Sequence, residues 1–296
     1  MSIISKVSAL APENFPTMYP ISGVRFATVN AGMKSGDGED VTLIVLEADT
    51  VVAGLFTKST MRSAPVIDCQ NKIRMEIKNE GAAIIINAGN ANAFTGRQGE
   101  IAVREIISAL SKRIETPAER IFSSSTGVIG EPLKYEKIIN VLDYLAGSID
   151  ESKIEDAARA IMTTDTFPKG SSVEFSCGGT KITISGIAKG SGMIAPNMGT
   201  MLVYIFTDAL IDKSELQSLV TELNEETFNC ITVDSDTSTS DTLLVSATGK
   251  SGIKVNKSNW EFCEALRKVM LDLAQQVICD GEGASKFIEV SVSGAV

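Results

Sequence analysis

A chain of 296 residues is long enough for one large domain or two ordinary ones, and its 44% hydrophobic and 22% charged residues exclude wholesale disorder. A net charge of −10 would repel a phosphate backbone, so nucleic acid is not an expected partner. The chain has no histidine, which removes Ser-His-Asp and Cys-His catalysis and argues against zinc, so any nucleophile here needs another base.

In chain order, "VTLIVLEA" and "VVAGLFT" predict two strands flanking a short turn. "GAAIIINAGNANAFTG" is an apolar run entering a Gly/Asn/Ala loop, the pattern of a strand buried on both faces. "GEIAVREIISALSKRI" follows with helical spacing of Ile101, Ile106, Ile107 and Leu110. "RIFSSSTGVIG" predicts a strand ending in a Ser/Thr/Gly loop, and "LKYEKIINVLDYLAGSI" and "IEDAARAIMTTD" are helical. "SVEFSC", "TKITISGIA" and "TMLVYIFTDAL" predict antiparallel strands. "DKSELQSLVTELNEETFN" is a helix with an Asp N-cap signal, "TLLVSATG" a strand, and "NWEFCEALRKVMLDLAQQVICDGEG" the longest helix, closed by glycine. "KFIEVSVSG" predicts a final strand. Clustered strands and clustered helices point to α+β or an α/β sandwich rather than a regular βαβ array.

The five cysteines include no C-x-x-C pair, and reduced thiols in a cytoplasmic protein are expected. The N-terminus has no long apolar segment of the secretory kind. Residues 190–207 carry no charge, but Pro196, Asn197 and several small residues interrupt them, so no membrane span is expected. The Walker spacing is absent, and "GEGASK" lacks the last glycine of a dinucleotide fingerprint. "DSDTSTSDT" has Thr239 where a calcium loop needs glycine and Val245 where it needs glutamate. It is expected to be a turn bonded by its own side chains, with no metal.

Chemistry without histidine is open to a threonine hydroxyl whose base is its own α-amine, since the two groups sit on adjacent carbons. Gly199-Thr200 stands where an irregular loop becomes an apolar strand. If the Thr200 hydroxyl attacks the carbonyl of Gly199, an N-to-O acyl shift and hydrolysis leave Thr200 as a new N-terminus. Glycine at 199 exposes that carbonyl.

Six segments, "INAGNANAFTG", "SSSTGVIGEPL", "AIMTTDTFPK", "KGSGMIAPNMGTML", "TVDSDTSTSDTLL" and "DGEGASKFIEV", together resemble the ornithine acetyltransferase family, the bifunctional glutamate N-acetyltransferases of arginine biosynthesis. The resemblance implies a self-cleaving, threonine-nucleophile α/β sandwich, with residues 1–208 as an acyltransferase core and 209–296 as a smaller second domain. It implies cleavage before Thr200 into an α chain, 1–199, and a β chain from 200, assembled as α2β2. Thr200 is then the acetyl-accepting nucleophile between N2-acetylornithine and glutamate. Acetyl-CoA is expected at most as a further donor, and no cofactor is expected. Thr126 and Gly127 match the oxyanion hole, Thr163 and Lys189 match substrate contacts, and Glu282 matches a glutamate near the substrate amine. Gly199 stands where the family more often has alanine, and Ser235 and Ser240 stand in place of an expected glycine and asparagine. Family members continue beyond "SVSGAV", so the second domain is expected to be incomplete here. The alternatives are an aminopeptidase-like amidohydrolase of related architecture and an inactive truncated form.

Overall fold

The computed structural model describes residues 7–77, 79–195 and 201–294. Its strands are β1 (Val24–Val29), β2 (Val41–Leu46), β3 (Val51–Phe56), β4 (Ala82–Asn90), β5 (Ile121–Val128), β6 (Lys169–Cys177), β7 (Thr180–Lys189), β8 (Leu202–Thr207) and β9 (Thr242–Ala247). They form two sheets, ordered β1-β2-β4-β5 and β3-β9-β8-β7-β6. In the first, β4 and β5 run parallel and the other neighbours antiparallel. In the second, β8 and β9 run parallel and the rest antiparallel. The antiparallel series β6, β7, β8 is the one expected from sequence, although β6 starts earlier, at Lys169.

The helices are α1 (Ala64–Lys72), α2 (Gly96–Ile114), α3 (Tyr135–Ile139), α4 (Leu142–Gly147), α5 (Ile154–Ala160), α6 (Lys213–Glu226) and α7 (Trp260–Cys279). Three apolar layers account for their places. Phe26, Ile44, Ile84, Ile86 and Phe122 of the first sheet face Val52, Leu202, Tyr204, Phe206 and Leu244 of the second. Phe26 meets Phe206 edge-on, with ring centroids 5.4 Å apart. The other face of the first sheet packs on α2, α3 and α4, and the other face of the second on α6 and α7. The result is an α/β sandwich with two central sheets between helical layers. Because successive residues of a strand point to opposite faces, and both faces are covered, "AAIII" and "LVYIF" have no polar alternation.

Several elements depart from expectation. β2 and β3, six residues each and separated by a turn with Asp49 at φ 67°, do not form a hairpin but enter different sheets. β1 and α1 were not expected; in α1 the telling signal is Pro65 just after the N-cap Ser63, where the ring suits the first helical turn. Asp212 is the N-cap of α6, yet its carboxylate makes no cap hydrogen bond and instead lies 3.0 Å from Lys254 Nζ. The strand expected at 286–294 is not formed: the apolar alternation is there, but Ile288, Val290 and Val292 are exposed and no described strand pairs with them. A strand needs a ladder partner as well as a pattern. Residues on both sides of position 208 share the second sheet, since β9 lies between β3 and β8.

Candidate active site

β4 and β5 end together at a pair of glycines, Gly89 and Gly127, where the register slips. Gly127 has φ +129°, and a Cβ there would stand 2.3 Å from the carbonyl carbon of Gly89. Gly89, at φ +113°, has the Met33 carbonyl oxygen 2.5 Å from where its own Cβ would be. Both positions thus require glycine for conformation and for space. The Met33 turn is itself fixed by the buried Asp40, whose carboxylate accepts the N–H groups of Ala31, Met33 and Lys34 at 2.8, 2.5 and 3.0 Å.

This close junction leaves Thr126 as the last buried residue of β5, with Gly127 exposed beyond it. From the opposite sheet Lys189, the last residue of β7 and 3% exposed, donates through Nζ to Thr126 Oγ1 at 3.1 Å. A hydroxyl oxygen that accepts from an ammonium still has its own hydrogen to give, and that hydrogen is the more strongly polarised for it. Thr126 is therefore arranged as a donor. Burial pushes the Lys189 ammonium below the usual lysine range; Asp165 opposes that, Lys169 adds to it, and Asp241 opposes it further.

Beneath Lys189 lies a buried charge cluster. Asp165 Oδ1 accepts from Lys169 Nζ at 2.8 Å and from the Gly190 N–H at 2.6 Å, and its Oδ2 accepts from the Thr163 N–H at 3.0 Å. Lys169 also reaches Asp280 at 2.6 Å. Burial alone would raise the Asp165 carboxyl, but Lys169 and Lys189 outweigh it and hold the group at about 2. Lys34, whose ammonium donates to the carbonyls of Ala160 and Met162, stands near the same cluster and is pushed down by burial against the pull of Asp40 and Asp165.

Gly199 and Thr200 lie outside the described residues. The chain on either side of them is held from one stretch, 232–241. Asp234 accepts the N–H groups of Met193 and Ile194 at 2.6 and 2.9 Å, and the Val233 N–H donates to the Ile194 carbonyl at 2.9 Å. Asp241 Oδ1 accepts the Met201 N–H at 2.7 Å; Asp241 Oδ2 has no hydrogen-bond partner among the described residues. Burial raises the Asp241 carboxyl well above its ordinary value, against Met201 and Lys189. The loop that imitated a calcium site is thus a pair of backbone clamps. Among the described residues no group of three or more His, Cys, Asp or Glu could hold a metal.

Of the residues expected from sequence, Thr126, Gly127 and Lys189 come together. Thr163 joins them through its N–H on Asp165. Glu282 is exposed; its N–H donates to the Ser191 carbonyl at 2.9 Å, and its carboxylate lies against Gly192, 2.9 Å from where a Cβ would be. Ser191 in turn shares a 2.7 Å hydrogen bond with Thr164, the neighbour of Thr163. Sequence reasoning did not single out Asp165, Lys169, Asp234, Asp241 or Asp280. The i,i+4 spacing of Asp165 and Lys169 inside "TTDTFPK" was the available signal.

Comparison with known proteins bears on the family and the fold. The ArgJ family matches residues 25–296. The arginine biosynthesis bifunctional protein ArgJ of Ruegeria pomeroyi is 55% identical over 295 residues, covering 100% of this chain and 72% of that protein. The protein of the same name from Bartonella henselae is 47% identical, covering 98% of this chain and 71% of its own length. The crystal structure of ArgJ from Bacillus halodurans, 28% identical, superposes with a TM-score of 0.52 over 61% of this chain and 92% of that one. A Burkholderia β-aminopeptidase, 14% identical, has a TM-score of 0.52 over 89% of each chain, a likeness of fold alone. Sequence and fold together place this chain in the ArgJ family.

Proposed function

We propose that the chain is an acetyltransferase of arginine biosynthesis, which cuts itself before Thr200 and then moves an acetyl group from N2-acetylornithine to glutamate through an ester on Thr200. The activity is supported by relatives that are bifunctional arginine-biosynthesis proteins. The observation that carries the site is the contact of Lys189 Nζ with Thr126 Oγ1, which leaves the Thr126 hydroxyl its own hydrogen to donate, next to the exposed Gly127. Thr126 and the Gly127 N–H would hold the oxygen of the tetrahedral intermediate, and one such donor contributes about 2.7–4 kcal/mol.

The Thr200 α-amine, with a pKa of about 7.7–8.0 before the site acts on it, takes the hydroxyl proton as the oxygen attacks the acetyl carbon. Collapse expels the ornithine α-amine, which recovers that proton. Glutamate then attacks the ester by the reverse route. An ammonium has three donors; Lys189 uses one on Thr126 and has others for a substrate carboxylate. The exposed Glu282 carboxylate suits the cationic end of ornithine. Nucleophile and base both belong to the chain, so the scheme calls for no cofactor, and acetyl-CoA enters only as a second donor. The two pieces assemble as α2β2 in this scheme.

The test is incubation with N2-acetylornithine and glutamate, following N-acetylglutamate, free acetate and the mass of the Thr200 peptide. Transfer with an acetylated Thr200 peptide, both lost in Thr200→Ala together with self-cleavage, is the expected result. Release of acetate regardless of glutamate would instead make the chain a hydrolase, and cleavage persisting in Thr200→Ala would remove Thr200 from its role.

A further inference from the structure

Thr163, Lys189 and Glu282 come from three distant parts of the chain: the turn after α5, the end of β7 and the turn after α7. A cluster whose charged side chains, Asp165, Lys169 and Asp280, have no solvent exposure joins them. The Lys169 ammonium lies 2.8 Å from Asp165 and 2.6 Å from Asp280, donates to the Phe167 carbonyl at 3.2 Å and stands 4.6 Å from the Phe167 ring centroid. Asp165 also accepts the N–H groups of Thr163 and Gly190, the residue next to Lys189. Asp280 also accepts the Thr166 N–H at 2.9 Å and the Thr166 hydroxyl at 2.5 Å, and Glu282 follows two residues later.

A buried ion pair is a weak source of stability, because desolvation cancels most of its attraction. A better account lies in what it orients. We propose that Asp165 is the positioning residue of the acetyl-transfer site: its carboxylate holds the Thr163 turn, the backbone beside Lys189 and, through Lys169 and Asp280, the approach to Glu282 in one fixed relation. The inference rests on the proposed function only for the identity of the substrate.

The same carboxylate governs the charge of Lys189. The ionisable groups that face Lys189 are Asp165, Asp241, Lys169 and Lys34. Both lysines oppose its ammonium. Asp241 is itself pushed toward the neutral form by burial. Asp165, held at about 2, stays anionic wherever Lys189 carries a proton to lose. Among the described residues it is therefore the one dependable anion at Lys189.

The experiment compares the full chain with Asp165→Asn and Asp280→Asn, each with lysine labelled at 13Cε and the Lys189 signal assigned by its loss in Lys189→Met. Asparagine keeps the shape of Asp165, and Lys169 retains Asp280. If the variant does not fold, the Asp165→Asn/Lys169→Met pair, which removes the Lys169 ammonium that Asp165 would otherwise leave short of a partner, replaces it, with Lys169→Met as the reference for the Lys189 titration. Asp165→Asn is expected to move the Lys189 titration to lower pH and to lower kcat/KM for transfer roughly 10- to 100-fold, mostly through KM. Asp280→Asn takes a carboxylate from the same lysine without touching Gly190 and is expected to leave the Lys189 titration in place. An unmoved Lys189 titration in Asp165→Asn, or an equal shift in both variants, would overturn the proposal. A parent chain without transfer activity would remove the proposed function, while the Lys189 titration would still decide this inference.

Discussion

The ammonium of Lys189 and the hydroxyl of Thr126, 3.1 Å apart, belong to strands of different sheets. Lys189 ends β7 and Thr126 is the last buried residue of β5, so the contact bridges the sandwich near the ends of the two strands.

That bridge predicts a coupled loss. Thr126→Ala should slow transfer by roughly 10²–10³ with little change in KM. Lys189→Met, which keeps much of the stem, should also lower kcat, and the double variant should lose much less than the product of the two single losses. Steady-state kinetics on the four proteins gives the answer; strictly multiplicative losses would mean that the two residues act independently.

Gly127→Ala should destabilise the fold by roughly 1–3 kcal/mol, because the new methyl meets the Gly89 backbone and the φ of +129° is strained for alanine. Gly130 has φ +88° but nothing within 4 Å of an added Cβ, so Gly130→Ala should cost less. Thermal melting of both variants measures the difference, and equal costs would show that the tight approach at Gly89 can relax.

Asp241 is raised by burial, so folding takes up a proton there as pH climbs past the unfolded carboxyl value of about 3.9. Its contribution to stability therefore falls as pH rises from that value. Asp241→Asn keeps an oxygen for the Met201 N–H and carries no charge. It should melt higher than the parent at pH 8, with the gap closing toward pH 4. Melting curves across that range would refute this if the gap were independent of pH.

Asp165 has the opposite sign. Its folded value of about 2 is below the unfolded one, so its stabilisation is complete above about pH 4 and disappears as pH falls through 2. In acid denaturation the advantage of the parent over Asp165→Asn should shrink between pH 4 and pH 2; a constant difference would mean that the carboxyl is not held ionised.

Strands buried on both faces were legible because an apolar run such as "AIII" or "LVYIF" has few other uses. β1 escaped notice because Arg25 and Thr28 interrupt it, and the assignment of β2 and β3 to different sheets is decided by long-range pairing that no local pattern encodes. The strand expected at 286–294 failed for the complementary reason: pattern without a partner. At the site, Thr126, Gly127 and Lys189 were accessible through whole motifs, while Asp165, Asp241 and Asp280 were not. A carboxylate in sequence looks the same whether it is solvated or buried against backbone N–H groups, and only its neighbours across the fold tell the two apart.

The strand order β3-β9-β8-β7-β6 would have a consequence for the molecule if it were cut before Thr200. β8 and β9 would belong to the second piece and be flanked on both sides by strands of the first, and Asp234 of the second piece would hold Met193 and Ile194 of the first. Neither piece could complete the five-stranded sheet alone, so the nick would leave the native particle's size unchanged and appear only after denaturation. What would change is molecularity. An uncut chain unfolds and refolds as a single molecule, at a rate indifferent to concentration. The cut pair would have to find each other again, so recovery from denaturant would slow on dilution. Cleavage would thus make the fold easy to reach once, during synthesis, and hard to regain.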